Sequence, residues 1–242
     1  MAGHSKWAKV KRFKGAIDAK RGKIFSKLSK EITIAVKIAG GDPAMNPRLR
    51  MVLLKCRSAN MPSDNIERAI KKGTGGGEAA NFDDLTYEVY GPNGVAILVE
   101  ISTDNRNRTA SEIRSIVTKN GGSIATQGSV SRLFQRKGQI IVPRAGANED
   151  QLMEVALEAG AEDFRAEAEG FEILTEPGKF ESVHKQLESK GIKPDAAEVT
   201  ELPTVTVPLQ GESNAAAVNR LLEALEDHDD VKEVYSNAEF TD

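Results

Sequence analysis

The sequence has one cysteine, three histidines, 5% aromatic residues and no apolar run approaching the length of a membrane-spanning helix, which needs about 20 such residues. Each scarcity excludes something. Cys56 alone cannot form an internal disulfide or a zinc site built on several thiolates, and a lone thiol fits a reducing compartment. His4, His184 and His228 lie far apart, and no HExxH, CxxC or GxxxxGK[ST] string occurs. Gly75 to Ala80 matches GxGxxA, but it follows a helical pattern and precedes a strand, the reverse of a dinucleotide site. The first residues carry lysines where a secretory signal needs an apolar core. These absences predict a cytoplasmic, non-enzymatic protein with no cofactor and no structural metal. Ala2-Gly3-His4 would offer copper(II) or nickel(II) a nitrogen set if Met1 were removed, and is read as incidental.

What the chain does have is charge, distributed unevenly. Its 242 residues are 39% hydrophobic and 29% charged, a globular profile, with a net charge of -3. Residues 1–72 hold 18 Lys and Arg against 5 Asp and Glu, or +13, leaving 15 basic and 31 acidic side chains, or -16, to the other 170 residues. A basic head on an acidic body points to a polyanionic partner for the head, because clustered like charges repel unless something uses them. The alternative is a solvated basic surface docked on the chain's own acidic body.

The head reads as helical. Ile24, Phe25, Leu28, Ile32, Ala35, Val36 and Ala39 recur at spacings of three and four, one helical stripe, with Lys20, Lys23, Lys27, Lys30 and Lys37 on the other side of the wheel. Gly40-Gly41 stops this helix, and Asn46-Pro47 starts a second one with Leu49, Val52, Leu53 and Cys56 as its core face. After the Asn60–Ser63 turn, Ile66, Ala69 and Ile70 carry a third helix to Gly73. Residues 73–81 form a glycine-rich linker.

Beyond the linker the periodicity changes. Thr86–Tyr90 and Val95–Ile101 read as strands joined by Gly91-Pro92-Asn93-Gly94, a hairpin signal, and Asn107–Asn120 as a helix. Ser129–Phe134 and Gln139–Val142 read as strands. Helix 150–159, strands 163–168 and 171–175, helix 178–190 and strand 196–201 follow. Strand Val205–Leu209, helix Asn214–Asp227 and strand Val231–Ser236 close the chain. Residues 138–201 are by themselves β-α-β-β-α-β, the split or ferredoxin-like arrangement. The fold class expected is therefore α+β: a helical N-terminal domain (1–72), then two ferredoxin-like α+β domains, one (138–202) inserted in the other (82–137 and 203–238).

Several strings in this order resemble one family. MAGHSKW at 1–7, DAKRGKIFSKL at 18–28, NPRLR at 46–50, NMPSDNIERAIKKG at 60–73, YGPNGVAILVE at 90–100, TDNRNRT at 103–109 and LEDHDDVKEVY at 225–235 are similar to the YebC family across nearly the whole chain. That family includes bacterial proteins described as transcriptional regulators and the mitochondrial translational activator of cytochrome c oxidase. The resemblance implies three domains and a nucleic-acid partner, either promoter DNA or the RNA of ribosomes stalled on proline-rich sequences. Where family members commonly carry an aromatic in the GSVxxxF stretch, this chain has Arg132.

For nucleic-acid contact the residues expected in the head are His4, Lys6, Trp7, Lys9, Lys11, Arg12, Lys14, Lys20, Arg21, Lys23, Lys27 and Lys30. Lysines and arginines on a flexible arm neutralise phosphates, and Trp7 offers either a stacking face or a hydrophobic anchor for the helical domain. Arg106 and Arg108 form a second set, flanking a helix start whose free amides favour an anion; loop structure capped by Asn105 and Asn107 is their other reading. The acidic run Glu226, Asp227, Asp229 and Asp230 reads as a solvated connection, with a cation or a basic partner as the alternative. No helix-turn-helix, zinc finger or basic zipper is evident, so phosphate contacts are expected to dominate over base readout. The function expected is a DNA-binding transcriptional regulator, with a ribosome- or RNA-binding translation factor as the alternative.

Overall fold

The computed structural model describes residues 3–75, 82–145 and 147–240, with side chains described from Arg21 onward. Most of the glycine-rich linker lies outside these residues. Two compact units form: Trp7–Gly77 with Arg136–Thr200, and Met1–Lys6 with Glu78–Gln135 and Glu201–Asp242. Among the described residues no helix is long and apolar enough to cross a membrane.

α1 (Gly3–Ala39) is a single helix of 37 residues that supplies the first unit from Trp7 onward. The segment expected as a flexible arm is therefore helical backbone, consistent with its lack of proline and its many lysines, arginines and alanines. Gly40, at φ 84, ends the helix, with its N–H on Val36 O at 2.7 Å. Asn46 then ties the turn together from a buried position. Its Nδ2 donates to Ala35 O and Gly40 O at 2.8 and 2.7 Å, while its Oδ1 accepts from Leu49 N at 3.0 Å and caps α2 (Pro47–Ser58). α3 (Ser63–Thr74) follows.

The core of the three helices is the expected one: Leu28, Ile32, Ala35 and Val36 of α1 against Leu49, Val52 and Cys56 of α2 and Ala69 of α3. Ala39, expected on this stripe, is exposed because the helix ends there. Gly73 lets α3 approach α1 closely, since a Cβ there would lie 2.7 Å from the Val36 side chain.

The same unit contains a sheet of four strands, β4 (Phe134–Pro143), β5 (Asp163–Ala166), β6 (Gly170–Thr175) and β7 (Ala196–Pro203), with α5 (Glu149–Glu158) and α6 (Phe180–Ser189) between them in sequence. The strand order β5-β6-β4-β7 is that of the ferredoxin-like arrangement, with β6 antiparallel to both neighbours. Ile140, Val142, Phe171 and Ile173 alternate onto the helix-covered face, where Leu152, Phe180, Val183 and Leu187 bury them. Met51 and Leu54 of α2 join this cluster.

In the second unit β1 (Asp83–Tyr90) and β2 (Ala96–Thr103) form the expected hairpin, in register from Asp83↔Thr103 to Tyr90↔Ala96. α4 (Arg106–Lys119) leads to the short β3 (Ser123–Ile124), and α7 (Glu212–Glu226) leads to β9 (Val231–Ser236). The sheet order is β3-β1-β2-β9. Val89, Ile97, Val99 and Ile101 face α4 and α7, meeting Ile113, Val117, Val218, Leu221 and Leu225. β8 (Val207–Leu209) does not enter this sheet but pairs in parallel with β10 (Ala238–Phe240).

Ser129–Phe134 is not a strand. It is a turn followed by a 3-10 segment at Ser131–Leu133, and extended structure starts only at Phe134. The physical reason is Glu88 of β1, a buried carboxylate that accepts the N–H groups of Gly128, Val130 and Ser131 at 2.6, 2.6 and 2.9 Å. Amides engaged by a carboxylate are not available to a ladder. Val130 and Phe134 meanwhile cover Ala96, Leu98 and Tyr235 on the sheet face away from the helices.

Candidate nucleic-acid interface

Of the expected head residues, His4, Lys6, Trp7, Lys9, Lys11, Arg12, Lys14 and Lys20 have side chains outside the described residues. Their backbone belongs to α1. Arg21 is exposed, whereas Lys23, Lys27 and Lys30 are half-buried, and each of the four engages a further group. The lysine face is thus less open than the helical wheel implies, because long aliphatic stems lie along the protein while the ammonium groups reach outward or to partners. At the end of the head, Arg57 on α2 and Lys71 and Lys72 on α3 are exposed, and the two lysines occupy the last turn of α3, where their charge complements the negative end of the helix dipole.

Arg106 and Arg108 sit at the start of α4, whose N-cap is Asn105, its side chain accepting from Arg108 N at 3.1 Å. Asn105 therefore caps α4 as the loop reading expects, and both arginines stand at that same helix end. Arg106 Nε donates to Asp83 Oδ2 at 2.7 Å. Arg108 Nη2 lies 2.9 Å from Asp104 Oδ1 and 2.7 Å from Asp230 Oδ2. Both guanidinium pKa values rise, through the hydrogen bond Arg106 donates to Asp83 and those Arg108 donates to Asp230 and then Asp104. The two charges are thus partly neutralised by carboxylates of their own unit.

Asp230 is the residue that reading by spacing misses. Expected in a solvated run, it is buried, and its Oδ2 accepts from Thr109 Oγ1 at 2.8 Å and Thr103 Oγ1 at 3.2 Å as well as from Arg108. The Asp230 N–H donates to His228 Nδ1 at 3.1 Å, so the ring hydrogen sits on Nε2, 2.9 Å from Glu112 Oε2. Glu112, His228 and Asp230 bring one ligand atom each within 4.8 Å of one another, as a metal cluster would. The hydrogen bonds already use the His228 lone pair and Asp230 Oδ2, so the arrangement ties α4 to the turn before β9 rather than offering converging lone pairs to an ion. Sequence gave no signal for this pairing, because Arg108 and Asp230 are 122 residues apart.

Among the described residues, Arg106 and Arg108 are held by carboxylates and Asp230 by hydroxyls and a guanidinium, and these groups do not line up as nucleophile, base and oxyanion donors.

Comparison with known proteins agrees with the architecture. The family description "TACO1/YebC protein N-terminal domain" matches residues 5–76, and "TACO1/YebC second and third domain" matches residues 82–238. A probable transcriptional regulatory protein of Opitutus terrae is 51% identical over 239 residues, covering 99% of this chain and 96% of that protein. One of the same description from Halothermothrix orenii is 52% identical over 244 residues, covering 100% and 96%. The crystal structure of a conserved hypothetical protein from Aquifex aeolicus superposes with a TM-score of 0.80 at 46% identity, covering 93% of each chain. With both of its parts matched and relatives at half identity along its length, the chain belongs to the TACO1/YebC family.

Proposed function

We propose that the protein is a nucleic-acid-binding regulator of gene expression, and that it acts on DNA as a transcriptional regulator. The observation that carries the reading is the +13 charge of residues 1–72, against -16 elsewhere, with α2, α3 and α1 from Ile24 packed on one another. Clustered charge of one sign attracts a polyanion. The name carried by the relatives, probable transcriptional regulatory protein, supports DNA as that polyanion. In this reading His4, Lys6, Trp7, Lys9, Lys11, Arg12, Lys14, Lys20, Arg21, Lys23, Lys27 and Lys30 make up the main contact, and Arg106 with Arg108 a lesser one.

A second reading, RNA on the ribosome, has one observation in its favour. The contacts offered by α1 are lysine-rich, and lysine acts as a point charge toward phosphate whatever the sequence or sugar. Replacing Lys20, Lys23, Lys27 and Lys30 with Gln is expected to leave the fold intact and weaken binding by similar factors on unrelated sequences. For duplex DNA the slope of log K against log salt becomes shallower by about three to four units if all four meet phosphate. Unchanged affinity and slope would overturn the head as the contact. Crosslinking in cells, with sequencing of bound DNA and bound RNA from the same sample, separates transcription from translation.

A further inference from the structure

The acidic body contains one stretch with no acid in it. From Ile113 to Asn148 there is not a single Asp or Glu, while Arg114, Lys119, Arg132, Arg136, Lys137 and Arg144 supply six cations. Elsewhere in the 170 residues after the head, 31 carboxylates leave about one residue in five acidic, so 36 consecutive residues without one is a marked departure. In the second unit this stretch runs from the end of α4 through the edge strand β3 to the loop 125–132.

That loop is unusually well held for one so open. Glu88 accepts three of its amides, Tyr90 Oη reaches Ser129 O at 3.4 Å, Ala125 N donates to Glu88 O at 2.8 Å, and Ser129 N and Oγ both bond Thr126 O. Val130 is fully buried beneath it. The side chains of Thr126, Gln127 and Arg132 are exposed, and none of them carries any of these bonds. Gly128, at φ 85, stands at the surface with nothing within 4 Å of where a Cβ would be. Glu88 is turned inward and takes up three of the loop's amides, so the outer surface presents an amide, hydroxyls, an open glycine backbone and the Arg132 guanidinium. Lys119 is exposed at the near end of α4.

From this juxtaposition we infer that the edge running from Lys119 over β3 to the Glu88-braced loop is a second nucleic-acid contact, and that it takes an unpaired segment of nucleotides. The inference rests on the proposed function for the presence of a nucleic acid, and adds the place and the form of the contact. An unpaired strand is narrow enough to follow the edge that this acid-free stretch builds, whereas a duplex brings a second row of phosphates that one edge of two cations does not reach. Unpaired bases also expose the edges that Gln127, Thr126 and Arg132 can hydrogen-bond, and an open glycine admits a sugar or base at close range. Such a loop, fixed before its ligand arrives, loses little entropy on binding.

The test uses the full chain and three probes: an unstructured oligouridylate, a single-stranded DNA of the same length, and a duplex. Lys119→Gln with Arg132→Gln is expected to weaken binding of both single strands roughly tenfold and to make their salt slope shallower by about 1.4, at ~0.7 per phosphate contact. Duplex affinity should change by less than twofold. Lys190→Gln with Lys193→Gln, the same change of net charge on exposed residues of the other unit, should leave the single-strand slope unaltered. Gly128→Asn changes no charge, and Asn is the side chain best tolerated at positive φ; it is expected to weaken single-strand binding while the melting temperature stays close to that of the native chain. After ultraviolet crosslinking to the oligouridylate, the tryptic peptide Asn120–Arg132 should carry the adduct.

Single-strand binding unchanged in both variants, or adducts confined to head peptides, overturns this second contact and leaves the proposed function standing. An equal loss on duplex and single strands overturns its assignment to unpaired nucleotides. A chain that binds none of the three probes overturns both readings together.

Discussion

Arg50 of α2 and Glu181 of α6 join the helical head to the ferredoxin-like sheet layer: Nε lies 2.6 Å from Oε1, and Nη2 donates to Oε2 at 3.1 Å. The closer approach is an ion-pair contact, and the hydrogen bond is the one from Nη2. The third nitrogen, Nη1, donates to Pro43 O at 2.7 Å and Ala44 O at 2.9 Å, in the turn that presents Met45 to solvent. One side chain therefore holds both the loop between α1 and α2 and the partner element. Arg50, first among several influences, keeps the Glu181 carboxyl below its ordinary range.

The expected consequence is a coupling that a double-mutant cycle can read. With both side chains about one quarter exposed, the Arg50→Ala and Glu181→Ala cycle should give about 0.5–1.5 kcal/mol in urea unfolding. Arg50→Ala alone should cost more than Glu181→Ala alone, because only the former also frees the two loop carbonyls. A coupling of zero would mean that the pair is accommodated rather than stabilising.

Cys56 has a chemical signature of its burial. Desolvation, reinforced by Glu31 and weakly opposed by Lys55, raises its pKa to about 11. The thiolate is the reactive form, so a thiol reagent at neutral pH should modify Cys56 at a rate limited by opening of the α1–α3 core, and rapidly once urea unfolds it. Fast labelling of the native chain would contradict the packing of Cys56 against Leu28 and Leu49.

The pH dependence of stability should show two windows. His184 on α6 is buried and stacked on Phe180; burial lowers its pKa first, Arg57 lowers it further, and Glu188 and Glu181 oppose the shift. A histidine held neutral in the fold takes up its proton more readily when unfolded, so stability present above about pH 6.5 declines as pH falls toward the folded pKa. Glu88 acts lower. Burial would raise its pKa, but the amides of Gly128, Ser131 and Val130 together bring it below its ordinary value. Its contribution is present above about pH 4.3 and is lost as pH falls through the folded pKa. Replacing His184 with Gln should remove the upper window and leave the lower; Glu88→Gln should remove the lower and cost about 1–3 kcal/mol at neutral pH, as an amide nitrogen meets the backbone donors. Urea midpoints between pH 7 and 3 check both.

Much of the fold was legible because it rests on local periodicity and turn chemistry. The stripe from Ile24 to Val36, the cap at Asn46 and the hairpin around Pro92-Asn93-Gly94 each signal themselves within a few residues. What was not legible depends on partners distant in sequence. Glu88 lies 40 residues before Gly128, and nothing in a strand pattern says that a carboxylate will claim the amides of Gly128, Val130 and Ser131 and keep them out of a ladder. Asp230 reads as one acid among several until Arg108 and two threonine hydroxyls surround it. Val207–Leu209 looks like any short strand, and only the position of Ala238–Phe240 decides that it leaves the main sheet. The candidate interface divides the same way, since composition places the head's charge while the acid-free loop gains meaning only from the bonds beneath it.

The two arginines at the start of α4 should separate under mutation. Arg108 closes a network around buried Asp230, so Arg108→Ala takes from an interior carboxylate its guanidinium partner and leaves its charge less well compensated. The expected result is a lower melting temperature, with Arg108→Lys recovering part of it because an ammonium restores the charge without the planar fork. Arg106 is different, since it pairs with Asp83 and both side chains of the pair are exposed. Arg106→Ala should leave the melting temperature nearly unchanged. Any loss of nucleic-acid affinity then reports a direct contact by Arg106, and a loss of about two- to fivefold with a slope change near one unit is the expected size for one phosphate. If Arg106→Ala binds as the native chain does while Arg108→Ala loses both stability and binding in proportion, the α4 terminus is a structural joint, and the head carries the affinity without it.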